Sequence, residues 1–256
     1  MRIRGGSGLG DSLYVRPIAE HFAGKGQQVT ALTNYPDIYR GSKVSTEPFS
    51  RTNCQVVAHY VNGKSKTDTT QWQDVCDAAG VSVPMRFEWS VQNQALADQI
   101  LRAANGRQII LAHGGRAPMG RTDGFAMELL PAQWVFEDTL KGMKDCLVIS
   151  IGGTDGVRYQ LSAEIDLTGK TTVSDMLDLA WICTGVVAQC SFAIPLAECF
   201  DKPLLAIWSE RARSSNQAYI KTITPQKILS KSTSRWVMDD WDQQRITEAV
   251  DAFCQF

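Results

Sequence analysis

The sequence lacks the marks of a metalloprotein, a disulfide-bonded protein and a membrane protein. Its only histidines are His21, His59 and His113, and none has the His-Glu-x-x-His spacing of zinc hydrolases. The seven cysteines are odd in number and form no Cys-x-x-Cys pair, which favours reduced core residues. No apolar run approaches the roughly 18 residues that span a bilayer, and residues 1–8 lack the apolar stretch of a secretory signal. We therefore expect a cytoplasmic protein without a metal site or an integral membrane segment.

Disorder is excluded by composition, because 44% of the 256 residues are hydrophobic and 21% are charged. The 26 basic and 27 acidic side chains nearly cancel, but they are segregated along the chain. Acidic residues are missing from three basic segments, at 51–67, 99–122 and 211–238. Such segments are either solvated faces or surfaces that attract an anionic ligand.

Glycine-rich turns followed by helical patterns recur along the chain and predict an α/β fold with parallel strands. The first half is predicted to contain a loop over 5–10, a helix over 11–23, strands over 29–33 and 55–61, and helices over 70–79 and 91–104. The second half is predicted to contain strands over 109–112, 146–151, 186–188 and 204–208, and helices over 131–143, 173–181, 195–200 and 240–253. This second order is that of a doubly wound sheet.

The domain boundary is expected near Asn105, which gives an N-terminal lobe of residues 1–104 and a C-terminal lobe of residues 105–238. Residues 239–256 are expected to form a last helix that either caps the second lobe or crosses back to the first. Thr172 and Asp175 have the spacing of a capping box at the start of the helix over 173–181.

The loop from Gly5 to Asp11 meets the start of a helix, where unpaired backbone N–H groups and the helix dipole favour negative charge. It is not a dinucleotide fingerprint, because Asp11 stands where Gly-x-Gly-x-x-Gly from Gly6 requires glycine. An ionised Asp11 in a glycine-lined hollow can accept a proton from an alcohol. The alternative is an aspartate that only caps the helix.

Two further segments are candidates for phosphate binding. Residues 166–171 end in Gly-Lys-Thr, but Glu164 stands where a Walker A loop requires its first glycine, so the P-loop is excluded. The turn over 188–195 follows a buried strand, at the end where open α/β sheets bind ligands. Ser191 can offer its hydroxyl to a diphosphate there, and Pro195 suits a first helical position. The alternative is an ordinary helix cap.

Two segments, taken in this order, resemble the glycosyltransferases of family 9, the heptosyltransferase-like enzymes of GT-B fold. Residues 8–17 (GLGDSLYVRP) are similar to the family's opening Leu-Gly-Asp-x-Leu…Pro loop and helix. Residues 166–208 are similar to the family's Leu-x-Gly-Lys segment, its Asn/Asp-Ser/Thr-Gly-x-x-His turn and the strand that follows. The resemblance implies two Rossmann-like doubly wound lobes that face a central cleft, with the acceptor on the first lobe and the nucleotide sugar on the second.

The resemblance also implies a role for each matching residue. Asp11 is the expected catalytic base, in an acceptor loop with Gly8 and Gly10. The expected donor-binding residues are Arg116, Arg121, Thr168, Gly169, Lys170, Thr171, Gln189, Cys190 and Ser191. Among these, the two arginines would bring positive charge to the phosphates, since a guanidinium suits their geometry.

The turn departs from the family pattern at three positions. Pro195 replaces the family's histidine, Phe192 its glycine and Cys190 its acidic residue. We therefore expect a donor other than ADP-heptose, or a donor that is held differently.

The expected function is an inverting, metal-independent glycosyltransferase in which Asp11 deprotonates an acceptor hydroxyl that attacks a nucleotide-diphosphate sugar. No cofactor is expected, because the nucleotide sugar is a substrate. The expected acceptor is anionic: a lipopolysaccharide-type saccharide, or a hydroxymethylated DNA base in the host cytoplasm if the protein is phage-encoded. Small molecules and proteins stay open as acceptors. The alternatives are a GT-B-type nucleotide-sugar epimerase or hydrolase, and a non-catalytic binding module.

Overall fold

The structure is a computed structural model that describes residues 1–60, 69–114, 131–153, 161–211 and 223–255. The elements of its first part are β1 (Arg2–Arg4), α1 (Leu9–Gly24), β2 (Thr30–Thr33), a 3-10 turn (Pro36–Tyr39), β3 (Ser45–Pro48), β4 (Val56–Val57), α2 (Gln71–Ala79) and α3 (Gln94–Ala104). Those of its second part are β5 (Gln108–His113), α4 (Gln133–Gly142), β6 (Cys146–Ser150), β7 (Ile165–Asp166), α5 (Val173–Ile182), β8 (Gly185–Gln189), α6 (Ala193–Cys199), β9 (Leu204–Trp208), α7 (Pro225–Ile228), β10 (Ser234–Met238) and α8 (Gln243–Cys254).

The strands form two parallel sheets. The first has the order β3-β2-β1-β4 and the second the order β10-β9-β8-β5-β6-β7. Counted along the chain, the second sheet has the doubly wound order in which strands one and four, here β5 and β8, are neighbours. Ligands of such sheets bind where the strand order reverses, so the carboxyl ends of β5 and β8 are the expected place for a site. The α/β prediction with two doubly wound sheets is confirmed.

Apolar sequence determines which strands are central. All five residues of β6, β8 and β9 are buried, because helices cover both faces of the second sheet. Alternate residues of β5 face different sides: Ile109 and Leu111 join the larger core, and Ile110 and Ala112 join a smaller core on the opposite face. By contrast, the edge strand β3 is exposed at all four residues.

Side-chain caps set several helix starts. The predicted capping box is present, since Thr172 Oγ1 accepts the Asp175 N–H at 3.1 Å and Asp175 Oδ2 accepts the Thr172 N–H at 2.9 Å. Asn93 caps α3 by accepting the Leu96 N–H. The helix therefore begins at Gln94, whereas the sequence predicted a start at Val91.

The two parts of the chain contact each other through α1 and α6. Gly10 lies at this contact, where a Cβ would be at van der Waals distance from the second part, 3.4 Å from Phe192 Cα and 3.5 Å from Pro195 Cγ. A partly buried ion pair joins Asp74 of α2 to Lys227 of α7 at 2.6 Å. These contacts bring the loop after β1 close to the turn after β8.

The last helix, α8, packs on α4, β9 and β10. Its buried residues Ile246, Val250 and Phe253 join the smaller core of the second sheet. This helix therefore packs against the second sheet. Within the described ranges, no helix is long and apolar enough to cross a membrane.

Candidate active-site cleft

A cleft of about 240 Å³ lies between the carboxyl ends of the two sheets. Both halves of the chain contribute to its walls. Its lining comprises Gly10, Asp11, Tyr14, Tyr60 and Gln71 from the first half, and Cys190, Ser191, Phe192, Pro195, Ile223 and Ile228 from the second. The structure thus brings together four of the predicted site residues: Gly10, Asp11, Cys190 and Ser191.

Asp11 lies in the first turn of α1, at the third helical position, with Gly8 as the N-cap. Its Oδ2 accepts the Gly8 N–H at 3.0 Å, and its Oδ1 lies 3.4 Å from His59 Nε2. The Asp11 side chain is 17% exposed and faces the cleft. Gly6 leaves room for this pair, because a Cβ there would overlap the Asp11 carboxylate and lie 2.9 Å from His59 Nε2. The carboxylate thus lies between the N–H of the N-cap residue on one side and an imidazole on the other.

His59 is a residue that the sequence reasoning missed. It follows the two-residue strand β4, and its ring stacks on Tyr60 with centroids 4.3 Å apart. In the first sheet β1 and β4 are neighbours at the point where the strand order reverses. The sequence predicted a longer strand, over 55–61, which placed His59 inside a strand, whereas the observed strand ends at Val57 and leaves His59 in the segment that follows it.

The opposite wall of the cleft centres on Ser191. Its Oγ lies 3.1 Å from His113 Nδ1 and accepts the Ala193 N–H at 3.3 Å. His113 ends β5 and is buried, and its ring meets Phe192 edge-on with centroids 4.7 Å apart. The turn serine is therefore oriented by a histidine from the neighbouring strand, a residue that the predicted strand over 109–112 leaves just outside its end.

Cys190 and Gln189 precede the serine. Burial raises the pKa of the Cys190 thiol to about 12, so the thiol is neutral and a poor nucleophile at physiological pH. Gln189 ends β8 and is buried, and its Oε1 has no hydrogen-bond partner within the described residues. Gln189 is not among the residues that line the cleft.

Tyr14 supplies a further polar group on the α1 side of the cleft. Its hydroxyl donates to Gln71 Oε1 at 3.0 Å. Burial, together with the nearby Glu198 carboxyl, raises the pKa of Tyr14 well above its ordinary value. The cleft thus presents a neutral phenol beside Asp11.

The segment over 168–171 lies at the far edge of the second sheet, after β7, and does not line the cleft that contains Asp11. Hydrogen bonds from Ser150 (2.5 Å) and then Thr168 lower the pKa of Asp166 to about 2 and fix the start of the segment. Gly169, with φ of 69°, donates its N–H to the Gly152 carbonyl at 2.7 Å.

Two other side chains complete the segment. Lys170 Nζ donates to the Asp166 carbonyl at 2.7 Å, and the Thr171 hydroxyl is buried with no partner among the described residues. The remaining donor-binding candidates, Arg116 and Arg121, lie outside the described residues.

No protein-family model and no curated protein sequence matches the chain. Solved structures do match it over almost its whole length. Escherichia coli ADP-heptose LPS heptosyltransferase II has a TM-score of 0.65 and 12% identity, over 99% of this chain and 98% of that one. The family 9 glycosyl transferase from Veillonella parvula has a TM-score of 0.66 and 10% identity, over 99% and 97%. Escherichia coli heptosyltransferase WaaC with ADP has a TM-score of 0.58 and 10% identity, over 99% and 100%. Together with the two parallel sheets and the cleft between them, these matches show that the chain has the GT-B fold of the family 9 glycosyltransferases.

Proposed function

We propose that the protein is a glycosyltransferase that moves a sugar from a nucleotide-diphosphate sugar to a hydroxyl group of an acceptor. The observation that carries this proposal is that Asp11 and Ser191, from opposite halves of the chain, line one cleft. The Asp11 carboxylate on one wall can remove a proton. The Ser191 hydroxyl, in the turn on the other wall, can donate a hydrogen bond to an anion. The solved structures of the same fold support the proposal, because one of them is an ADP-heptose LPS heptosyltransferase and another is a heptosyltransferase solved with ADP.

Asp11 is the proposed base. Its Oδ1 lies toward His59 and its Oδ2 toward Gly8, so the acceptor hydroxyl would approach the carboxylate from the cleft side. The deprotonated oxygen attacks the anomeric carbon from the face opposite the nucleoside diphosphate, and the configuration at that carbon is inverted. The sugar–oxygen bond to the diphosphate breaks, and the leaving group departs with its electron pair.

The leaving group gains negative charge as that bond breaks. We propose that protein hydrogen-bond donors, with Ser191 among them and Arg116 or Arg121 as the cation, stabilise this charge without a divalent metal. Residues 168–171, which follow the edge strand β7 of the second sheet, would hold the nucleoside. Activity that survives an excess of a chelator would support the metal-independent form of this mechanism.

The proposed acceptor is a saccharide, which agrees with the similarity of the fold to that of an LPS heptosyltransferase from E. coli. A modified DNA base is the alternative that the basic segment 211–238 suggests. Retention on duplex DNA that falls steeply with salt would favour DNA, and binding of a phosphorylated saccharide would favour the first proposal. Either reaction would take place in the cytoplasm.

The test is a thermal-stability screen of ADP-, UDP- and GDP-sugars, followed by an assay for nucleoside diphosphate release. A ligand at 100 times its dissociation constant adds about 2.7 kcal/mol to the free energy of unfolding. Stabilisation together with release that depends on an added saccharide supports a transferase. Release at full rate without an acceptor would indicate an epimerase or hydrolase instead. Binding without turnover would indicate a binding module, and no stabilisation by any donor would overturn the proposal.

A further inference from the structure

A second cleft, of about 390 Å³, lies beyond the carboxyl end of β10 and shares no described lining residue with the one that contains Asp11. Two indoles dominate its lining, Trp236 of β10 and Trp241 just before α8. Three charged or amide side chains accompany them: Gln226 of α7, Asp240 before α8, and Arg245 of α8. We call these five residues the indole groove. Its volume is in the range of small-ligand sites.

Arg245 gives the groove a positive charge. Its guanidinium carbon lies 3.5 Å from the centre of the Trp241 ring, so the cation stacks on the indole face. Within the part of the chain that the structure describes, the guanidinium has no carboxylate partner, and Arg245 contacts Asp242 only through its own backbone N–H. The N–H groups of the guanidinium are therefore available to a ligand, beside the Asp240 carboxylate and the Gln226 amide.

These groups suit a sugar ring. Indole faces pack against the apolar C–H side of a pyranose, while a carboxylate, an amide and a guanidinium pair with its hydroxyls through planar hydrogen bonds. Trp236 and Trp241 are both half-buried and pack against the larger core, so they lose little freedom when a ligand binds. Arg245 covers one face of the Trp241 ring, so Trp236 is the indole on which a sugar ring would pack.

The position of the groove indicates which saccharide it would hold. Helix α7 separates the two clefts: Ile228 at its end lines the Asp11 cleft, and Pro225 and Gln226 at its start line the indole groove. In the second sheet the groove lies at the β10 edge, residues 168–171 lie beyond the β7 edge, and Ser191 lies between them. The groove is therefore on the side opposite the proposed nucleoside site.

We infer that the indole groove is a second saccharide subsite, which holds units of the acceptor that are remote from the reacting hydroxyl. The inference rests on the proposed function and specifies its acceptor as an oligosaccharide that runs from Asp11 past α7 to Trp241. It predicts that long and short acceptors carrying the same reacting sugar differ in KM because of this groove alone.

The test compares the wild-type chain with Trp241→Ala and Arg245→Gln. The matched control is Trp134→Ala, which removes a 43% exposed indole from α4, outside both clefts. The probes are a deacylated lipopolysaccharide core oligosaccharide, the methyl glycoside of its terminal sugar, and ADP. We expect both groove variants to raise the KM and the calorimetric dissociation constant of the oligosaccharide about tenfold. The kcat, the KM for the methyl glycoside and the affinity for ADP should stay at wild-type values, as should everything measured for the control.

Arg245→Gln is the variant that keeps the test decisive if Trp241→Ala folds poorly, because Arg245 is exposed and Trp241 packs against both cores. Unchanged oligosaccharide affinity in the groove variants, or no oligosaccharide binding by the wild-type chain, would overturn the inference. Weakened ADP binding in place of weakened oligosaccharide binding would make the groove a nucleobase site and would also overturn it. Failure of the proposed function is distinguishable, because it would appear as a wild-type chain that binds no nucleotide sugar.

Discussion

His113 Nδ1 lies 3.1 Å from Ser191 Oγ, at the point where the strand order of the second sheet reverses. A serine hydroxyl has one proton to donate and two lone pairs that accept. The Ser191 hydroxyl already accepts the Ala193 N–H at 3.3 Å. When Nδ1 carries a hydrogen, both lone pairs are occupied and the hydroxyl proton is free to donate to an anion in the cleft. His113 is therefore a positioning residue for Ser191.

This relationship predicts a non-additive pair of substitutions. Ser191→Ala and His113→Leu should each weaken the binding of a nucleoside diphosphate by roughly tenfold, because each removes the same oriented donor. The double variant should be no weaker than Ser191→Ala alone. His113→Asn, which keeps a polar atom at the δ position, should retain much of the affinity. Calorimetry with ADP measures all four variants, and losses that add in full would contradict the positioning role.

The second prediction concerns Asp11. Asp11→Asn should lower turnover by about two to four orders of magnitude, because an amide cannot accept the acceptor proton. Donor affinity should stay close to that of the wild type, since the proposed diphosphate site is on the other wall of the cleft. Initial rates and ADP calorimetry check the two parts. Asp77→Asn, at an exposed position of α2, is the matched control. Transfer at a near-normal rate by Asp11→Asn would remove Asp11 from the role of base.

Much of the fold could be predicted from the sequence because its central elements carry strong signals. Strands β5, β6, β8 and β9 are continuous apolar runs. The strands that sequence reasoning missed or could not delimit lie at edges or are very short. Strand β3 is fully exposed, β7 has two residues, and β10 lies in a basic segment whose polar side chains mask it. Strand β3 buries too little surface to require an apolar sequence.

The candidate site was predictable only where local motifs mark it. Asp11 directly follows a glycine-rich loop, and Ser191 lies in the turn after a strand. A sequence motif can identify both positions. His59 and His113 act through contacts with residues far away in sequence, and no local pattern records such contacts. The start of α3 shows the same limit, because residues 92 and 93, which were predicted to be helical, instead contact α5.

The third prediction follows from that contact. The Asp178 carboxylate is fully buried on α5 and accepts hydrogen bonds from Trp89 Nε1 (2.7 Å), Gln92 N–H (2.9 Å) and Asn93 N–H (2.7 Å). Asp178→Ala should lower the free energy of unfolding by about 3 kcal/mol, since it leaves these donors without a partner. Urea denaturation measures this loss. Asp77→Ala should change the free energy of unfolding by no more than about 0.5 kcal/mol. An equal effect of the two substitutions would contradict the role of Asp178.

The fourth prediction is a pH dependence of stability that arises from Glu198. This side chain of α6 is fully buried, and Oε1 accepts the Ser230 N–H at 2.6 Å. Burial raises the pKa of Glu198 above its ordinary 4.5. At a pH just above 4.5 the folded state therefore keeps a proton that the unfolded state has released, so the free energy of unfolding falls as pH rises. Each unit of raised pKa corresponds to about 1.4 kcal/mol.

Glu198→Gln carries no titrating proton, so the free energy of unfolding of this variant, relative to the wild type, should increase between about pH 5 and pH 7.5. Chemical denaturation at the two pH values measures the change. Glu164→Gln is the control, because a hydrogen bond from Arg107 lowers the pKa of Glu164. The contribution of Glu164 is already complete above its ordinary 4.5 and is lost only as pH falls below that value, so its difference from the wild type should stay nearly constant. A Glu198→Gln difference that is equally constant would show that the buried carboxyl is ionised in the folded protein at both pH values.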